Sequence, residues 1–145
     1  VRNSERSILI STAHLTFPLN REECETGLSP RVAETRSIIE ALDRLAEDRE
    51  PAFFMGDLND NIHPNRLLYE AGYRNCFAAL GVQAPPTVPC LPTATVPIWA
   101  CDLNMTVDWI VANAFARPVA GMVPQLYTEG FAPSDHWPVL AIYEI

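Results

Sequence analysis

The chain has no run approaching the roughly 18 unbroken apolar residues that a membrane-spanning helix needs, and no basic start followed by an apolar stretch of the kind that marks a signal peptide. A helical membrane span is therefore not expected. The first residue is Val1, and the strand-like "SILISTAHL" follows within a few residues. The chain thus reads as a piece of something longer, whose earlier part would carry any targeting segment, and the compartment stays open. Cys24, Cys76, Cys90 and Cys101 form no CxxC pair, which argues against a zinc site or a redox dithiol. Free thiols are expected, with a loop disulfide between Cys90 and Cys101 as the alternative. Positive charge is scarce, 10 Lys and Arg against 18 Asp and Glu for a formal net charge of -8. A field of that sign repels polyanions, so nucleic acid is a disfavoured partner unless bound cations or a basic patch elsewhere reverse the local sign. There is no internal repeat and no low-complexity tract.

What remains is 145 residues, 48% of them hydrophobic, which is the size and apolar content of one globular domain with one core. "SILISTA", residues 7–13, is β-branched and apolar enough for a buried strand that turns polar at His14 and breaks at Pro18. After a loop to residue 28, "SPRVAETRSIIEALDRLAED" predicts a helix capped by Ser29, with Pro30 first in the helix. Its apolar face is Thr35, Ile38, Ile39, Leu42 and Leu45. "PAFFMGDLND" is a short strand, Ala52 to Met55, ending in polar residues, and "HPNRLLYEAGY" is a short helix stopped at Gly72. The proline-rich stretch 82–100 reads as a long irregular loop. "TVDWIVAN", "ARPVAGMVP" and "WPVLAIYEI" read as three further strands.

Polar residues stranded in or at the ends of these apolar runs are His14, Asp57, Asn59, Asp108, Asp135 and His136. Carboxylates and an amide suit a hard, oxygen-preferring cation such as Mg2+, and two histidines suit proton transfer or phosphate contact. A charge between Val107 and Trp109 costs several kcal/mol or more unless it is paired. Asp108 is therefore expected to hold one nitrogen of His136, leaving the other aimed at substrate.

Four segments, "STAHL", "FMGDLND", "TVDWIV" and "PSDHWPV", resemble in order the later motifs of the endonuclease/exonuclease/phosphatase (DNase I-like) superfamily. The resemblance implies an α/β, DNase I-like four-layer sandwich of two packed mixed sheets flanked by helices, with residues 1–145 as the C-terminal part of one domain. It implies hydrolysis of a phosphoester with Mg2+ or Mn2+. By position, His14 contacts the scissile phosphate, Asp57 orients or deprotonates the attacking water, and Asn59 holds a phosphate oxygen. Asp108 hydrogen-bonds the essential His136, which acts on the phosphate or as base. Asp135 is a metal-side carboxylate, with Asp57 and Asn59 at a second metal position.

The family's earlier asparagine and its metal-binding glutamate have no counterpart in this chain. Glu22, Glu23 and Glu25 follow His14 in a loop, while Glu34, Glu40 and Glu47 read as a solvated helix face, as do Arg31 and Arg36. Half of such a sandwich leaves a sheet face open, so the N-terminal half or a dimer partner is an expected partner.

Each residue also has a plainer reading. His14 suits a strand-end hydrogen bond, Asp57 and Asn59 a turn, Asp135 a turn or cap, and Asp108 a structural ion pair. Trp99, Trp109 and Trp137 read as packing residues rather than a base-stacking platform. The rival functions are a catalytically silent half-domain used for binding or assembly, a nuclease or deadenylase of the same superfamily, and an unrelated α/β domain.

Overall fold

The computed structural model describes residues 7–93 and 104–145; Trp99 and Cys101 lie outside them. Strand β1 (Leu9–Thr12) leads through helices α1 (Arg21–Thr26) and α2 (Pro30–Leu45) to strand β2 (Ala52–Asp57). Helix α3 (His63–Glu70), strand β3 (Arg74–Asn75) and helix α4 (Cys76–Leu80) follow. After the proline-rich stretch come β4 (Asp108–Ala112), β5 (Arg117–Met122) and β6 (Leu140–Glu144). One sheet has the order β1-β2-β4-β3, in which β1 and β2 are parallel and β4 runs antiparallel to β2. The second is the antiparallel pair β5-β6.

Neighbouring residues of a strand face opposite ways, and β2 shows what each face meets. Phe54 belongs to a core with Leu42 of α2 and Leu68 of α3, whereas Phe53 packs with Ala112, Ala116 and Tyr143 of β6. The Phe53 and Tyr143 rings meet edge to face with centroids 5.0 Å apart. Helices therefore cover one face of the larger sheet and the second sheet approaches the other. Cover is incomplete: Ile10 on β1, Val119 and Met122 on β5, and Leu140 and Ile142 on β6 are each about half exposed.

The structure differs from expectation at several local points. Ser29 sits at the N-cap of α2, but its side chain makes no capping bond and its hydroxyl is buried without a partner. The buried stripe of α2 runs through Arg31, Thr35 and Leu42 with Ile38 packed beside them, while Leu45 in the last turn is 58% exposed. The expected loop after Pro18 contains α1, capped by Asn20 accepting from the Glu23 amide at 3.0 Å. Helix α4 is likewise capped, by Asn75 accepting from the Ala78 amide at 2.8 Å, and it carries the buried Cys76 and Phe77 into the core. Asn75→Ala is expected to cost about 1 kcal/mol of stability, seen as a lower urea midpoint. An unchanged midpoint would show that α4 is held by packing alone. Cys24, Cys76 and Cys90 are free thiols. Burial, with Asp135 and Asp108 close by, pushes the Cys90 thiol up to about 12, so it is protonated and unreactive at neutral pH.

Candidate active site

Because β1 and β2 are parallel, their C-terminal ends finish at the same edge of the sheet, and the chain beyond β1 continues alongside β2. The Ala13 amide donates to the Met55 carbonyl at 3.2 Å and the Leu15 amide to the Asp57 carbonyl at 2.9 Å. His14, between them, meets Asp57 with Nε2 3.2 Å from Oδ2. This approach requires Gly56, whose φ is +151° and where a Cβ would stand 1.8 Å from the Ala13 carbonyl oxygen.

Strand β4 runs the opposite way, so its first residue arrives at that edge too. Asp108 stands directly across from Asp57 in the ladder. Asp108 Oδ2 accepts from His136 Nδ1 at 2.8 Å, and the same Nδ1 lies 3.9 Å from Asp57 Oδ2. The pairing expected of a carboxylate in an apolar run is thus present, with Asp108 partly rather than fully buried. With Nδ1 committed to Asp108, Nε2 of His136 is the nitrogen left to meet a ligand.

His136 is held by a residue that sequence reasoning missed. Thr87, fully buried in the proline-rich stretch, accepts through its carbonyl from the Trp137 amide at 2.7 Å. Its hydroxyl oxygen accepts from the Val107 amide at 3.1 Å and the Asp108 amide at 3.3 Å. One threonine therefore ties the Asp108 strand to the His136 loop. Nothing in "APPTVPC" separates Thr87 from an ordinary loop residue; only the burial of a hydroxyl among prolines distinguishes it. Trp137 and the Tyr127 ring, 5.2 Å apart, pack behind the same loop, the packing role expected of Trp137.

Asn59 follows in a tight turn with φ +49°, a conformation that Asn tolerates better than most residues. Its amide donates to Asp57 Oδ1 at 2.8 Å and its side-chain Nδ2 to the Leu15 carbonyl at 2.9 Å. A primary amide has two N–H donors, so one remains. Asp57, Asp108 and His136 bring one ligand atom each within 4.8 Å of one another. Asp135 is outside that group; its carbonyl accepts from the Cys90 amide at 3.0 Å, and its side chain meets Ser134 Oγ at 3.4 Å. Oxygen donors predominate, and two facing carboxylates partnered by imidazoles suit a hard cation that takes its remaining ligands from water and substrate.

No protein-family profile matches the chain, and no curated protein does. Solved structures do. D. rerio TDP2, complexed with single-strand DNA product, matches over 92% of this chain and 55% of its own, with TM-score 0.70 and 17% identity. The mannosyl-6-phosphatase of Bacteroides thetaiotaomicron matches over 92% and 50%, with TM-score 0.68 and 14% identity. An endonuclease/exonuclease/phosphatase from Beutenbergia cavernae matches over 91% and 34%, with TM-score 0.58 and 20% identity. The fold is that of the endonuclease/exonuclease/phosphatase superfamily. The chain spans about half the length of the first two structures, and its described residues form two sheets.

In this superfamily fold the electrostatics of the strand-end cluster follow from crowding. Burial raises the Asp57 carboxyl above its usual 3.8, outweighing the Asn59 amide, and the Asp108 carboxylate adds to the rise. The hydrogen bond to Asp108 raises His136 above its usual 6.5, against the opposing effect of burial. Both groups bind their proton more tightly folded than unfolded, so each contributes stability that is lost as pH rises through its native value. The His136 contribution is complete below 6.5 and declines above it. Urea midpoints are therefore expected to fall as pH rises past neutrality, and Asp108→Asn to flatten that fall. A midpoint rising across the same range would contradict the pairing.

Proposed function

We propose that this chain carries the C-terminal part of the site of a divalent-metal-dependent phosphoester hydrolase. The observation that supports it most is the convergence of His14 and His136 on Asp57, with Asp108 holding His136, at one sheet edge. On this reading Asp57, made more basic by its surroundings, orients the attacking water and takes its proton. His136, its Nδ1 bound to Asp108, presents Nε2 to a phosphoryl oxygen and offsets charge as it develops. The free N–H of Asn59 donates to a second phosphoryl oxygen, and His14 contacts the phosphate on the leaving-group side. Asp135, and Asp57 and Asn59 at a second position, would hold Mg2+ or Mn2+, which when bound neutralises charge on the phosphoryl oxygens.

The residues before this segment in a complete superfamily domain would supply the remaining metal carboxylate. The half-length coverage of the similar structures supports that reading. Phosphate-ester chemistry appears in those structures as a mannosyl-6-phosphatase and as TDP2 with a DNA product. The net charge of -8 favours a small-molecule, lipid or nucleotide phosphoester over a long polyanion.

The test uses the longest natural polypeptide that carries these residues. It is assayed with Mg2+ on bis-aryl phosphate, sphingomyelin, inositol phosphate, poly(A) and single-stranded DNA. Hydrolysis of at least one substrate, abolished by EDTA and restored by Mg2+, is expected. A folded protein silent on all five would replace this reading with that of a binding or assembly module.

A further inference from the structure

His14 is the most exposed member of the cluster, its side chain 73% accessible, and a free imidazole on a strand-end loop would sample many positions. Its loop is nevertheless held at every step. Beyond the Ala13, Leu15 and Asn59 bonds already described, all three polar groups of Thr16 are engaged by α2. The Thr16 amide donates to Glu34 Oε2 at 3.0 Å, its hydroxyl donates to Glu34 Oε1, and its carbonyl accepts from Arg31 Nη1 at 3.0 Å.

Arg31, expected on a solvated helix face, is 4% exposed. Its guanidinium forks onto Glu23, with Nη1 3.1 Å from Oε2 and Nη2 on Oε1, and its Nε lies 3.8 Å from Asp60 Oδ2. A buried guanidinium is tolerated when a carboxylate meets it in this two-pronged way. The bond to Glu23 also holds that carboxyl below its usual range. Arg31 thus touches both site loops, the one bearing His14 and the one that runs from Asp57 to Asp60.

We propose that Arg31 and Glu34 are positioning residues of the site, a clamp from α2 that keeps the His14 loop seated against Asp57; as a role in catalysis this rests on the hydrolase reading above. Neither touches the reacting atoms. They act through Thr16, two residues beyond His14.

The test is Glu34→Ala in the same natural polypeptide, with Thr16→Val as the milder variant that keeps the amide donor and removes the hydroxyl. In histidine-selective NMR of wild type and variants, the His14 ring signal is expected to shift or broaden while that of His136 stays in place. In kinetics, kcat is expected to fall about 10-fold with KM within about twofold, the pattern of a misplaced catalytic group. Glu34→Ala combined with His14→Ala is expected to be no slower than His14→Ala alone, because both losses pass through one imidazole. Fully multiplying losses, or a His14 signal unmoved in a folded variant, would overturn the clamp. If the wild type hydrolyses nothing, the hydrolase reading fails by itself, and the NMR comparison still decides whether Glu34 places His14. Should Glu34→Ala not fold, Thr16→Val must move the His14 signal in the same direction, or the proposal is wrong.

Discussion

His136→Ala is expected to lower kcat for phosphoester hydrolysis by about 10²- to 10⁴-fold, the range for loss of a positioned proton-transfer or charge-stabilising group. The prediction rests on one nitrogen. Nδ1 is bound to Asp108 at 2.8 Å, so the ring is oriented before substrate arrives and Nε2 needs no reorganisation to reach it. Removing the ring also leaves Asp108 and Asp57 facing each other across the strands without the imidazole between them. Asp108 is partly hydrated, which limits the stability cost. Folding is therefore expected to survive while activity does not, and the two are separated by measuring kcat and the urea midpoint on the same preparation. Asp108→Asn is the companion variant. It keeps the ring but removes the carboxylate that raises its pKa, so the His136 limb of the pH–rate profile is expected to move to lower pH. A His136→Ala protein that retained wild-type kcat would remove His136 from the chemistry.

The second large effect is structural. Gly56→Ala adds a methyl group 1.8 Å from the Ala13 carbonyl oxygen, a backbone atom that cannot swing aside as a side-chain end can, at a φ of +151°. Backbone strain and overpacking together predict a loss of about 3–5 kcal/mol. At about 1–3 kcal/mol per molar urea, that is a midpoint lower by roughly 2 M. The comparison that isolates the cause is Gly72→Ala, where φ is +90° but a Cβ meets nothing within 4 Å; only strain acts there, about 1–2 kcal/mol. Similar losses at both positions would mean that the close approach of β1 and β2 contributes nothing. The larger loss at Gly56 would show that the juxtaposition of His14 with Asp57 depends on a missing side chain.

Legibility in the sequence followed locality. Asp108 could be read as paired because a carboxylate between Val107 and Trp109 is expensive by itself, whatever the fold, and its contact with His136 bears that out. The strand-end positions of His14, Asp57 and Asn59 were legible for a similar reason, an apolar run that stops in polar residues. What joins them was not. That Asp57 faces Asp108 is a matter of register between strands far apart in the sequence. The contribution of Thr87 depends on where a proline-rich loop crosses β4 and the His136 loop. Arg31 at the start of a helix looks like a solvated cation until α1, hidden in what reads as a loop, brings Glu23 to it. Helix α4 did carry a readable signal, Asn75 and Gly81 bracketing "CFAAL" as N-cap and C-terminal stop, but five residues are too few for a periodic pattern to stand out.

The central claim is that water, oriented at Asp57, attacks the phosphorus of an ester held by the two histidines. It is tested most directly by running the wild-type reaction in 18O-labelled water on whichever panel ester turns over and analysing both products by mass spectrometry. One solvent oxygen in the phosphorus-containing product, and none in the alcohol, is the predicted result. Label in the alcohol, or no turnover by the folded protein, would contradict the account.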